Sequence, residues 1–272
     1  MFKRKQLDFN IPTTWNELSI RQLGYISELL TKSKDGDSGV YFEVVYHLFC
    51  PSFAWSWKGI KERYKFMQLL LQVPFSELLP YSSFIFTELK LTKFPKFVKI
   101  AGKKYFGPAD RLSNITIEEL NFAYKFYYDW LIDQDASALD RLVTTLYRPA
   151  RNKKKGDIRE TFDTANILSR GSILPKMPEE TKLTIGFAFK GSVEYMFSKF
   201  PHIFPKQKST KNTTKPKYQS LLPMINAMFL YENQPLGIRK EVLKTNAYVF
   251  LDVAQETIIA NKNREAEFKK RK

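Results

Sequence analysis

The chain has 272 residues, with 44 Lys plus Arg against 28 Asp plus Glu, a formal net charge of +16. That length supports a full hydrophobic core, and 43% apolar with 15% aromatic residues excludes a disordered basic tail. One cysteine (Cys50) and two histidines (His47, His202) exclude an internal disulfide framework and a metal centre rich in thiolate or imidazole.

The first eight residues carry charge without the apolar run of a secretory signal behind it. No stretch of about 18 apolar residues predicts a membrane span, and the cysteine usage suits a reducing compartment. Residues 6–11 predict a short strand closed by Pro12. Ser19 and Gln22 have capping-box spacing, and Leu23, Ile26, Leu29 and Leu30 follow at helical intervals, so 19–32 reads as a helix. A polar loop at 33–39 precedes a buried helix over 40–49. Residues 58–73 predict a third helix with Ile60, Tyr64, Met67, Leu70 and Leu71 on one face. Alternation from Phe84 to Leu91 predicts a strand, and 97–101 with 104–106 predict a hairpin across Gly102.

Thr116 and Glu119 repeat the capping-box pattern. The helix they open, about 117–132, carries Leu120, Tyr124, Tyr127 and Leu131 on a face widened by Phe122, Phe126 and Trp130. A helix over 136–147 follows the acidic segment 133–135 and stops at Arg148-Pro149. A basic loop (150–157), a helix over 157–169 and a turn framed by Pro175 and Pro178 come next. Residues 179–200 predict a long helix, and 218–231 and 245–268 two more. The fold class is therefore mainly α, with a small antiparallel β element at about 84–107 and a C-terminal helical pair. The implied organisation is a helical domain at 1–205, a basic linker at 206–217, and the helical pair with its basic tail at 218–272.

The charge is unevenly placed. Lys90, Lys93, Lys96, Lys99, Lys103 and Lys104 lie in an acid-free stretch, and 148–159 holds six basic groups against Asp157, among them Arg151, Lys153, Lys154 and Lys155. Residues 206–217 add five lysines, and Lys269, Lys270, Arg271 and Lys272 end the chain. The four segments sum to +20, leaving the remainder at −4. Such clusters bind polyanions by releasing counterions, or they are solvated loops. In the first cluster Phe94, Phe97, Tyr105 and Phe106 lie among the lysines, either to stack on a ligand or as the buried face of a strand pair.

Few patterns carry chemistry. His47 and Cys50, three apart in an apolar run, read as core residues before a catalytic pair. The segment 35–39 lacks the sixth-position glycine and twelfth-position carboxylate of a calcium loop, so it reads as a turn. Glu77, Glu88 and Lys90 have the residue types of a metal-dependent nuclease, with a solvated strand face as the competing reading. No glycine-rich phosphate loop, nucleophile elbow or zinc-protease motif occurs. The expectation is no catalytic residue, no metal ligand and no cofactor.

Four pieces carry a family resemblance: Pro-Thr-Thr-Trp-Asn-Glu-Leu at 12–18, the segment 105–116, the segment 139–149, and the helical pair from near Leu221. Together they resemble proteins encoded among the virion-assembly genes of phages and prophages of Bacteroidota. The resemblance implies a non-enzymatic morphogenesis role like that of tail-assembly chaperones, in the host cytoplasm or on the virion, with other phage structural proteins as partners. It brings no catalytic residues with it. Trp15, Trp55 and Trp57 are the candidate interface aromatics, with burial in the core as the alternative; Trp15 could also pin the N-terminal strand onto the helix at 19–32. Arg148 is placed to meet the carbonyls that end its helix. Nucleic-acid binding by the basic loops and tail is the second functional expectation, and the nuclease the third.

Overall fold

Apolar residues spaced three and four apart build helices through most of the computed structural model, which describes residues 7–33, 38–133, 135–151, 156–165, 167, 176–205, 220–230 and 235–270. In chain order these are α1 (Ile20–Lys32), α2 (Ser38–Phe49), α3 (Trp57–Leu70) and α4 (Ser83–Thr87). Two strands follow, β1 (Phe97–Ile100) and β2 (Lys103–Phe106). After them come α5 (Ile117–Asp133), α6 (Ala136–Leu146), α7 (Glu179–Ser198), α8 (Leu222–Leu230), α9 (Arg239–Lys244) and α10 (Ala247–Lys270). The protein is mainly α with a two-stranded antiparallel sheet and C-terminal helices. No helix among the described residues is long and apolar enough to cross a membrane.

The chain forms two compact units, 1–91 with 178–187, and 92–177 with 188–272. The expected linker at 206–217 lies outside the described residues, as do Lys153, Lys154, Lys155, Arg271 and Lys272.

In the first unit the Ser19 hydroxyl accepts the Gln22 N–H, and Gln22 Oε1 accepts from the Ser19 N–H at 3.0 Å, completing the capping box. The Gln22 amide then donates to the His47 carbonyl at 3.0 Å, which ties α1 to the end of α2. Leu23, Ile26, Val44, Val45 and Leu48 are buried, together with Leu183 and Ile185 from the start of α7. Trp15 is also core, 2% exposed, and its indole N–H is shared by the Phe84 and Glu88 carbonyls, each at 3.1 Å. This corrects two expectations. Residues 83–87 form a short helix and not a strand, and the indole N–H ties the Phe84 carbonyl to the Glu88 carbonyl just beyond it. Trp15 is accordingly no surface anchor, and it grips the end of α4, not α1. Residues 7–11 form no ladder either; Phe9 packs edge-on against Phe49 at 5.1 Å.

In the second unit α5 and α6 pack on each other. Leu120, Ala123, Leu139, Leu142 and Val143 are buried with Phe189 and Met196 of α7 and Phe250 of α10. Asp135 caps α6 by accepting from the Ser137 hydroxyl (2.7 Å) and N–H (2.8 Å), bonds that hold its carboxyl below the usual range. The ribbon pairs Phe97 with Phe106, Val98 with Tyr105, Lys99 with Lys104 and Ile100 with Lys103. Its turn, Ala101 and Gly102, has φ of 48° and 78°, the two positive values a primed hairpin turn demands. Arg148 extends the ribbon: Phe106 N–H donates to its carbonyl at 2.8 Å, and its N–H returns to the Phe106 carbonyl at 3.1 Å. A Cβ on Gly107 would stand 2.7 Å from the Tyr147 ring, so glycine lets the chain pass.

The helix expected over 157–169 is a further correction. Residues 156–163 are not helical, and Arg151 N–H donates to the Ile158 carbonyl at 2.7 Å while Ala150 bridges Arg159. The cause is local: the Asp157 carboxylate accepts the Arg159 N–H at 3.0 Å and its guanidinium as well, a turn that competes with helix. The short helix α9, between the two expected C-terminal helices, was not anticipated.

Candidate functional site

In the first unit, Ser56 caps α3 by accepting the Gly59 N–H at 3.0 Å, and Glu62 turns back to accept from the Ser52 N–H (2.9 Å) and hydroxyl (2.8 Å). Phe66 is the buried anchor of the helix, with its ring 5.5 Å from Phe49 and 5.8 Å from Tyr46. The face that the sequence marked as apolar is a different one, and it points outward. Of its residues Ile60, Tyr64, Met67 and Leu71 face solvent, with Trp57 (74% exposed) in line with them, while Leu70 is half-buried, which corrects any reading of that face as core. Their spacing is three, four, three and four residues, the a and d seam of a coiled coil. The positions flanking the seam include Lys61 and Arg63, both exposed, and Lys61 Nζ lies 5.3 Å from the Trp57 ring. Trp55 (85% exposed) and Phe53 extend the apolar surface beyond the N-terminus of the helix. Of the three candidate tryptophans, Trp55 and Trp57 are therefore at the surface.

The lysine cluster is divided between the units. Lys90 belongs to the first and is bonded to Glu88 at 2.8 Å, both exposed. With the strand absent, these two form a surface ion pair; Glu77 sits apart in a short 3-10 turn. Lys93, Lys96, Lys99, Lys103 and Lys104 are exposed in the second unit. The register settles the aromatic question: Phe94 and Tyr105 are buried, while Phe97 (43% exposed) shares a face with Phe106, Lys99 and Lys104. Of the remaining basic candidates, Arg151 is half-buried and Lys269 and Lys270 are exposed at the end of α10.

Beneath the ribbon's Arg148 lies a feature the sequence did not announce. Thr116 accepts the Glu119 N–H at 3.2 Å, but the Glu119 side chain, 1% exposed, does not reach back to complete a capping box. It turns inward to Arg148, whose Nη1 and Nη2 meet its two oxygens at 3.0 and 3.1 Å, and to Arg159 Nη1 at 2.7 Å. Arg159 also grips Asp157 through Nε and Nη2 and donates to the Leu146 carbonyl at 2.9 Å. Arg148 Nη1 reaches the Thr145 carbonyl at 3.0 Å, the helix-end contact expected of it. Burial pulls the Arg148 guanidinium below its ordinary range; for Arg159 burial does the same, but Glu119 and Asp157 outweigh it and the net shift is upward. Nearby, the fully buried Tyr147 hydroxyl donates to the Pro95 carbonyl at 2.8 Å. The spacing of 29 and 40 residues from Glu119 to its arginines left no local signal.

Cys50 is buried, which pushes its thiol up to about 12, away from the thiolate that nucleophilic chemistry needs. His47 stacks on Tyr25 at 4.5 Å, and burial lowers its pKa. Among the described residues no group of three His, Cys, Asp or Glu is placed to hold a metal ion. The described part of the 35–39 segment, Ser38 and Gly39, begins α2. Comparison with family models, curated proteins and solved structures finds no match to this chain.

Proposed function

We propose that the protein is a structural or assembly component, of the phage-encoded kind its sequence resembles, that works by docking a helix of another protein along α3. The observation that carries this reading is the exposed seam Trp57, Ile60, Tyr64, Met67 and Leu71. An apolar row of that spacing is complete only when knobs from a second helix fill it. The flanking Lys61 and Arg63 select the occupant. A helix carrying Glu or Asp beside its own seam meets them with opposite charge, whereas a parallel second copy brings only Ser56 and Gln68 to these positions. The partner is thus an amphipathic helix with acidic flanks. Trp55 and Trp57 supply large, stiff anchors at one end.

The test replaces Tyr64 with a photo-crosslinking residue in the full chain, expressed where particles assemble. The expected product joins the chain to one virion or assembly protein through an acidic-flanked helix, and Ile60→Glu abolishes it. Crosslinking to a second copy alone, seam-dependent binding to anionic lipid vesicles, or assembly indifferent to Ile60→Glu would each overturn the reading.

A further inference from the structure

The second unit holds a surface that helix docking does not use, and we infer that the outer face of the β1–β2 ribbon binds single-stranded nucleic acid. The ribbon's two faces have opposite chemistry. Val98, Ile100 and Tyr105 are buried, whereas the exposed Phe97, Lys99 and Lys104 share the outer face with the half-buried Phe106. Phe97 and Phe106 are directly paired, with ring centroids 6.2 Å apart, and Lys104 Nζ lies 5.0 Å from the Phe97 ring. Lys96 and Lys103 are exposed as well, but they fall at the alternate positions with Val98 and Ile100 and are not part of this face.

The ring pair and the Lys104–Phe97 contact support the hairpin itself, but the facing lysines do not. Lys99 and Lys104 stand opposite each other across the strands, a like-charge pair that destabilises a sheet. Among the described residues none of Lys96, Lys99, Lys103 and Lys104 has a carboxylate partner. An anion placed between the strands would remove that repulsion. The adjoining rings say which anion: a phosphodiester chain with bases free to stack brings charge and aromatic surface side by side. A duplex keeps its bases stacked on one another and offers these rings only edges. An acidic peptide would answer the lysines and leave the rings without a partner.

The ribbon is also built to stay in place. Its turn residues lie clear of the body, with nothing within 4 Å of a Cβ built on Gly102. Its β2 edge is held by the paired backbone bonds to Arg148, whose guanidinium is fixed on Glu119. The rings are thus presented from a rigid support, so that less ordering accompanies binding.

The test is fluorescence anisotropy of a labelled oligothymidylate with the full chain at several salt concentrations. Binding should be tighter than to a duplex of equal length. Phe97→Leu should weaken it about tenfold, the loss of one base stack, while Phe97→Tyr restores it. Lys99→Gln with Lys104→Gln should lower the slope of log affinity against log salt by about 1.4, or about 0.7 for each phosphate no longer neutralised. Thermal melts of the variants check that each is folded. No binding at low salt, equal affinity for duplex, full competition by polyglutamate, or Phe97→Leu binding like the parent would each overturn the inference. The last outcome would assign the binding to the tail or loops.

Discussion

Two sets of cations in the second unit are held in opposite ways. Arg148 and Arg159 share the buried Glu119, and Arg159 also holds Asp157, whereas Lys99 and Lys104 face each other in solvent without a counterion. The residue types fit the tasks. A guanidinium is a planar, weakly hydrated fork that pairs with a carboxylate through two bonds at once; an ammonium is a strongly hydrated point charge that serves best in water. The formal +16 therefore overstates what a partner meets at 148–159, where the two outer arginines are neutralised internally. On the ribbon the exposed charge is carried by lysine.

The contrast can be broken from the inside first. Glu119→Gln leaves two buried guanidinium groups short of a counterion, and urea unfolding should show a loss of about 3–5 kcal/mol. A loss below about 1 kcal/mol would make the buried network incidental. Arg159→Lys keeps the charge but loses the fork that joins Glu119, Asp157 and the Leu146 carbonyl; the same measurement should show about 2 kcal/mol. Tyr147→Phe removes only the hydroxyl and strands the Pro95 carbonyl, at about 1–2 kcal/mol. Outside, Lys99→Ser with Lys104→Ser should change stability by less than about 0.5 kcal/mol, with any change upward as their repulsion goes. A clear destabilisation there would mean that the ribbon lysines serve the fold.

The two capping-box patterns show how far local reading reaches. Ser19 and Gln22 fulfil theirs because every partner lies within three residues. Thr116 and Glu119 present the same spacing, yet arginines 29 and 40 residues away claim the carboxylate. Periodicity was equally partial at α3. The apolar spacing placed a helix there, but whether a face is covered depends on what packs beside it, and Phe66 took the core position instead. At 84–87 alternation was misleading because the segment coils into a helix whose end is held by Trp15, some 70 residues earlier in the chain, through the Phe84 and Glu88 carbonyls. The hairpin was readable because Gly102 marked its turn, and the division of its aromatics needed only the register.

The first unit takes its last segment from residues 178–187, long after its main stretch ends at Leu91. On a ribosome adding about 5–20 residues per second, the roughly 96 residues from Leu91 to Phe187 take on the order of 5–20 s. Throughout that interval the nascent unit lacks Phe187, whose ring lies 6.3 Å from that of Trp15, and Glu180, which packs over Gly24. A truncation after Leu91 makes this unfinished state permanent. Residues 1–91 thus wait for a segment that follows the whole main stretch of the second unit before their own unit can close.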